Sequence, residues 1–179
     1  ISSGEGGAVV SNDGDVIEYV KHLSEQSQTK DRFIHDELGY NYRMSNIHAA
    51  ILYGQLQDYD EIKERKKEVF SNYNELIKDL PLEIQRSEED TKHSLWMYGV
   101  KFESEDAKNR ASKALISKGI ESRPMFYPMS KHEHLEFRSH PSVEVNSKDL
   151  SDRCLMLPSY PDLTRDDINN IVGTIKESL

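Results

Sequence analysis

The chain has 179 residues, enough for one domain with a real core. It is acidic, with a net charge of -9 from 23 basic and 32 acidic residues, which disfavours bulk nucleic-acid binding and anionic membrane surfaces, since both ask for a basic face. Cys154 is the only cysteine, which excludes an intrachain disulfide and a cysteine zinc site, and no apolar run approaches the ~20 residues of a membrane helix.

The chain opens on "ISSGEGGAVVSND", with three glycines within residues 4–7 and no initiator Met or secretory leader. The natural N-terminus is therefore expected upstream, and a reduced cytosolic setting fits the composition. Residues 8–10 read as a short strand closed by an Asn-Asp-Gly turn. Val16, Ile17, Val20 and Leu23 then mark one face of a helix. A polar loop runs through "TKDRFIHDELGYNYRM". Ser45 or Asn46 caps the longest predicted helix, whose stripe is Leu52, Leu56, Tyr59, Ile62, Val69, Tyr73, Leu76 and Leu80 before Pro81. Some 35 residues at ~1.5 Å each would reach roughly 50 Å, the length of an interdomain bridge. "SLWMYGVKF" alternates, with Trp96, Tyr98, Val100 and Phe102 on one side, as a strand does. The next helix turns Ala107, Ala111, Ala114 and Leu115 inward and stops at Gly119. "IESRP" and "CLMLP" read as short strands. Thr164 caps a last helix with Ile168, Ile171, Val172 and Ile175 on its apolar face.

The residues offer few self-sufficient chemical motifs. Gly4, Gly6 and Gly7 lack the Lys-Ser/Thr of a P-loop and the third glycine of a dinucleotide fingerprint, leaving a plain loop before a strand or a turn where backbone passes close to something. "KHEH" has no third metal ligand at a recognised offset and reads as a solvated loop. Cys154 sits in an apolar run as a small buried hydrophobe. No nucleophile elbow or His-Glu-x-x-His is present. In "GYNYRM", Asn41 and Arg43 stand just before a helix start, and an amide, a guanidinium and a helix N-terminus together suit an anion such as phosphate, although such residues also serve as caps. The alternation of Tyr40, Tyr42 and Met44 with Asn41 and Arg43 separates aromatic and polar sides.

Five blocks in order resemble one family: "ISSGEGGAVVSND", "DELGYNYRMSNIHAAILYGQLQ", "HSLWMYGVKF", "KGIESRPMFYPM" and "LMLPSYPDLTRDDINNIV". Together they resemble the nucleotide-sugar aminotransferases of the DegT/StrS group, pyridoxal phosphate enzymes of the aspartate-aminotransferase fold (fold type I). The resemblance covers essentially the whole chain and corresponds to the C-terminal half of such an enzyme. It implies an α/β fold: residues 1–44 as a remnant of the large cofactor-binding domain, 45–81 as a long interdomain helix, and 82–179 as a small C-terminal α/β domain.

The resemblance also implies site roles. The lysine that anchors pyridoxal phosphate is expected just upstream of Ile1, so no catalytic residue is assigned within the chain, and Lys21 and Lys30 are in the wrong context. This chain alone is then expected to be inactive. Asn41 is expected to bond the cofactor phosphate of the neighbouring subunit in a homodimer with a shared active site, with Arg43 in support. His93, Arg123 and Tyr127 are expected on the sugar-nucleotide side, and no residue is assigned to a metal. "MFYPM" resembles perosamine-synthase-like members, which implies amination of a 4-keto-6-deoxy nucleotide sugar with glutamate as donor, for polysaccharide, lipopolysaccharide or other glycan biosynthesis. Two alternatives stay open: a sugar dehydratase of the same family, with His at the anchoring position, and a non-catalytic α/β interaction module.

Overall fold

The computed structural model describes residues 1–138 and 141–179. The chain divides into two compact units, Ile1–Asp60 and Glu61–Leu179.

In the first unit, α1 (Gly14–Ser24) starts where the Asp13 carboxylate accepts the Asp15 N–H. The chain then folds back on itself through isolated bridges between Glu25 and Asn41 and between Gln28 and His35. Ser45 caps α2 (Asn46–Gln57) by accepting the His48 N–H. The expected strand at residues 8–10 does not form. It has no partner backbone, and Val9 and Val10 are exposed. Instead, Gln55 imitates a neighbouring strand further upstream: its Oε1 accepts the Ser2 N–H and its Nε2 donates to the Ser2 carbonyl, both at 2.8 Å. The apolar face of α1 is present as a pattern, but Val16 and Ile17 are exposed.

The long helix is interrupted. α2 ends at Gln57, Asp58 turns out of helical geometry, and α3 runs from Tyr59 to Ile77. Asp is a poor interior helix residue because its short carboxylate competes for nearby backbone N–H groups. Of the expected stripe, Val69 and Tyr73 are buried and Leu56 and Tyr59 are exposed. Ile77, rather than Leu76, completes the buried face, and Leu80 lies beyond the helix end.

The second unit is built on a four-stranded sheet in the order β1-β2-β4-β3, with β1 Leu82–Ile84, β2 Tyr98–Phe102, β3 Arg123–Pro124 and β4 Cys154–Leu157. Every pairing is antiparallel. β2 alternates as predicted, burying Tyr98, Val100 and Phe102. Trp96, however, falls outside the strand and is exposed, because Leu95 adopts a left-handed φ of 56° and breaks the extended run. All four residues of β4 are buried, as befits an interior strand. Against the sheet pack α3, α4 (Glu105–Ser117) and α6 (Arg165–Ser178). Small Ala107 and Ala111 let α4 approach closely, Leu115 fills the core, and Gly119 closes the helix at φ 72°. Thr164 and Asp167 form a reciprocal capping box at α6, which buries Ile168, Ile171, Val172 and Ile175. β1 and α5 (Pro141–Arg153) had no counterpart in the sequence reading.

Candidate functional site

Residues 5–9, the stretch of α1 from Ile17 to Ser24 and the 40–45 segment line an open hollow of about 1120 Å³ within the first unit. Gly6, Gly7, Asn41, Arg43, Ser45 and His48 all face it. Gly6 has φ 135°, and an added Cβ would lie 2.7 Å from Met44 Cε and 3.2 Å from Ser3 Oγ. The φ of Gly6 is one that L side chains rarely adopt, so the backbone conformation itself favours glycine here. Tyr40 and Tyr42 stack with ring centroids 4.9 Å apart, which realises the alternation seen in the sequence. Among the described residues, neither the Asn41 amide nor the Arg43 guanidinium has a side-chain partner, and both are exposed. The first N–H groups of α2 lack intrahelical acceptors by geometry. Two free donor side chains, a helix N-terminus and glycine turns make a donor set suited to a phosphate ester.

The loop bearing Asn41 is held by its backbone. Tyr40 N donates to Leu23 O (2.7 Å), Tyr42 N to Ser24 O (3.0 Å) and Gln26 N to Tyr40 O (3.0 Å). The first two use carbonyls that the C-terminal end of α1 leaves open. His22 Nε2 lies 2.7 Å from Asp36 and 3.6 Å from Glu37, and Tyr19 Oη donates to Glu37. These three side chains could offer ligand atoms to a cation, but they are already engaged in contacts with one another and with Tyr19 that tie the loop to α1.

In the second unit, the structure separates the expected substrate-side residues. His93 lines a hollow of about 560 Å³ with the 85–97 loop, and Arg123 lines another of about 520 Å³ with Ser159 and Tyr160. Trp96, Met97 and Met156 border both. Tyr127 is exposed and borders neither. His93 accepts the Leu95 N–H at Nδ1 (2.8 Å), which leaves its Nε2–H to donate to Gln85 (3.0 Å). Arg123 pairs with Glu121 at 3.2 Å. Sequence reasoning missed Lys66, whose ammonium donates to the carbonyls of Trp96 (3.0 Å) and Ser159 and sits 5.3 Å above the Phe70 ring centre. Partial burial pushes its pKa down. A lysine within the charged stretch "DEIKERKKE" carries no signal of this. His132 and His134 are exposed, His134 within a short 3-10 turn and His132 between that turn and the one before it.

The fold is that of the sugar aminotransferases. Helicobacter pylori PseC, an aminotransferase of pseudoaminic acid biosynthesis, matches 99% of the chain with a TM-score of 0.87 at 22% identity, over 50% of its own length. The sugar aminotransferase CalS13 from Micromonospora echinospora matches 99% of the chain with a TM-score of 0.84 at 24% identity, over 48% of its own length. The chain belongs to the DegT/DnrJ/EryC1/StrS aminotransferase family, whose profile matches residues 1–176. The family's cofactor is pyridoxal phosphate. Proteins named GDP-perosamine synthase from Escherichia coli O157:H7 and Vibrio cholerae are each 34% identical, over 99% and 98% of the chain and 48% and 49% of their own lengths. The chain thus spans about half the length of the curated relatives it matches.

Proposed function

We propose that the chain forms the phosphate-contacting loop and smaller domain of a pyridoxal phosphate-dependent aminotransferase acting on a 4-keto-6-deoxy nucleotide sugar, with glutamate as amino donor. The observation that carries this reading is the convergence of Asn41, Arg43, the α2 N-terminus and the Gly6–Gly7 turn on one hollow. The likeness to GDP-perosamine synthases along the whole chain supports the sugar class. In this reading residues 1–44 belong to the cofactor-binding domain, 45–81 link the domains, and 82–179 form the smaller domain. The product feeds glycan or polysaccharide assembly. The enzyme is a homodimer in which the stacked Tyr40 and Tyr42 and the first turns of α2 face a second subunit.

When bound, pyridoxal phosphate supplies the electron sink for amino-group transfer. In this reading Asn41 and Arg43 would reach the phosphate end of the cofactor of the neighbouring subunit. The Asn41 amide donates to a phosphate oxygen, Arg43 offsets the charge, and the N–H groups at the start of α2 add their dipole. Gly6 and Gly7 let the backbone approach without a side chain intervening. On the substrate side, Arg123 faces the sugar nucleotide, Tyr127 offers a hydroxyl and a ring, and His93 shapes the 85–97 loop through Leu95 and Gln85. The test is cofactor affinity in the holoenzyme. Asn41→Ala removes a hydrogen bond to a charged group, about 1.5–3 kcal/mol, and so should weaken cofactor binding roughly tenfold or more. Arg43→Ala should weaken it in a salt-dependent way. Unchanged affinity in both variants would return the loop to a purely structural role.

A further inference from the structure

We propose that Lys66 is a positioning residue for the substrate side of the second unit. Its ammonium group takes over where the β2–β4 ladder stops, and clamps the carbonyls of Trp96 and Ser159. The clamp fixes Trp96 on the rim that the His93 and Arg123 hollows share, and Ser159 on the wall of the Arg123 hollow. What these hollows receive rests on the sugar-nucleotide reading above, whereas the clamp stands on the hydrogen bonds alone.

The ladder between β2 and β4 runs from Lys101–Cys154 to Tyr98–Leu157 and stops there. Continued in the same register, Met97 would face Pro158 and Trp96 would face Ser159. Pro158 has no N–H to donate, and the left-handed Leu95 turns the chain just before Trp96. The two strand ends therefore part, and their carbonyls need donors that the ladder no longer supplies. Lys66, on α3, is that donor: its Nζ donates to Trp96 O at 3.0 Å and to Ser159 O. Further along the same helix, Tyr73 Oη donates to Pro158 O at 2.8 Å. One helix thus holds both sides of the split.

The seat of the ammonium is prepared. It lies 5.3 Å from the Phe70 ring centre, and Phe70 meets Tyr98 edge-on at 5.0 Å and His93 at 5.6 Å. His93 in turn accepts the Leu95 N–H at Nδ1 (2.8 Å), so cation, ring and loop form one connected group around Trp96. The adjacent cations of α3 behave differently. Arg65 pairs with Glu61 and Asp162, and Lys67 with Glu64, all exposed carboxylates. Lys66 is half-buried and takes main-chain carbonyls from two distant segments. Burial disfavours its charged form, and the two charge-assisted bonds offset that cost. Its side chain lines neither hollow, so it acts through the residues it holds. Pro158, Ser159 and Tyr160 border the Arg123 hollow on one side of the split, and Trp96 and Met97 border it on the other. Loss of the clamp would free this rim and leave the core shared by β2, β4 and α6 in place.

Site-resolved hydrogen exchange on the holoenzyme tests the clamp without any substrate. Lys66→Met keeps the apolar stem and removes the donors. The N–H groups of Leu95 and Leu163, which bond His93 Nδ1 and Tyr160 O on the two sides of the split, should then exchange about tenfold to a hundredfold faster, the effect of a lost charged hydrogen bond on local opening. Val100 and Ile175, in the core, should keep their protection. Lys66→Arg can still donate to two carbonyls and should restore most of the protection at Leu95 and Leu163. Unchanged exchange at Leu95 and Leu163, equal acceleration at Val100 and Ile175, or an equal loss in Lys66→Arg would overturn the proposal. The substrate side is read from the reverse reaction, in which GDP-perosamine gives its amino group to 2-oxoglutarate and leaves as the keto sugar nucleotide while glutamate forms. Lys66→Met should raise the KM for GDP-perosamine several-fold and leave that for 2-oxoglutarate unchanged. An equal change in both, or in neither, would overturn the positioning role. A parent enzyme inert toward GDP-perosamine would refute the sugar reading instead, and the exchange rates would still judge the clamp.

Discussion

Gly39→Ala should loosen the loop that carries Asn41, and the structure sets the size of the effect. A Cβ at Gly39 would lie 2.2 Å from the Gln26 carbonyl carbon, 2.3 Å from Ser27 N and 2.5 Å from Ser27 Oγ. Ordinary carbon contacts sit at about 3.5–4.0 Å, so the two segments must part by more than about 1 Å. The nearest atoms are backbone, and they belong to residues already in left-handed conformations, with φ 68° at Gln26 and 50° at Ser27. They cannot swing aside as a side-chain tip could. Overpacking usually costs about 1–3 kcal/mol, and a backbone clash this deep belongs at the upper end. About 3 kcal/mol corresponds to a roughly hundredfold shift in the opening equilibrium of the loop. Amide hydrogen exchange reads this directly. The N–H groups of Gln26, Tyr40 and Tyr42, which bond Tyr40 O, Leu23 O and Ser24 O, should exchange faster in the variant. Val100, Ile168 and Ile175, in the core of the second unit, should be unaffected. Unchanged protection at the three loop amides would refute the claim that this crossing point sets the loop.

Cys154 is buried and its thiol pKa is pushed up by that burial, so a thiol reagent should react slowly with the native chain and rapidly in denaturant. Full reactivity under native conditions would show that β4 is open. Asp149 accepts from Lys101 (2.8 Å) and Arg153 (2.9 Å), which hold its carboxyl below the ordinary carboxylate range. Its folded pKa is lower than its unfolded one, so its contribution is complete above about pH 4 and is lost as pH falls through the folded value. Thermal melts across pH 2–7 should therefore show a shallower acid limb in Asp149→Asn, at the cost of some stability at neutral pH. An acid limb identical to that of the parent would remove Asp149 from the acid response.

The second unit was legible where period and cap chemistry agreed. The Thr164 cap and the 168/171/172/175 face of α6 could be read directly, as could the β2 alternation and the Gly119 stop. Errors arose where a single residue overrode a pattern. Asp58 divides a periodic stripe that otherwise reads as one helix, and Leu95 ends an alternation that otherwise includes Trp96. Short β1 carries too few residues to show a period. Residues 8–10 have strand composition, but strand formation depends on a partner, which composition does not report. For the site, local sequence could suggest Asn41 and Arg43 because both stand just before a cap. Lys66 could not be found that way, since its acceptors at Trp96 and Ser159 are 30 and 93 residues away.

The two units are sustained by different forces, and this bears on how the proposed phosphate cradle would work. In the second unit one core links β2, β4, α3, α4 and α6, so hydrophobic burial fixes the sheet. In the first unit, Ser27 is the only fully buried residue. Its hydroxyl has no partner, and neither α1 nor α2 buries a side chain. Order there rests on caps, the Ser2–Gln55 pair and the hydrogen bonds of the 25–42 loop. Such a frame has little reserve against local opening. Ile47, Ile51 and Tyr53 stand exposed on α2, and apolar surface of that kind is what association covers. A homodimer with a shared site would supply both missing terms. Apolar contact would come from the second subunit, and charge-assisted bonds from a phosphate at Asn41 and Arg43. The cradle would then gain its order from what it binds, which couples cofactor affinity to assembly.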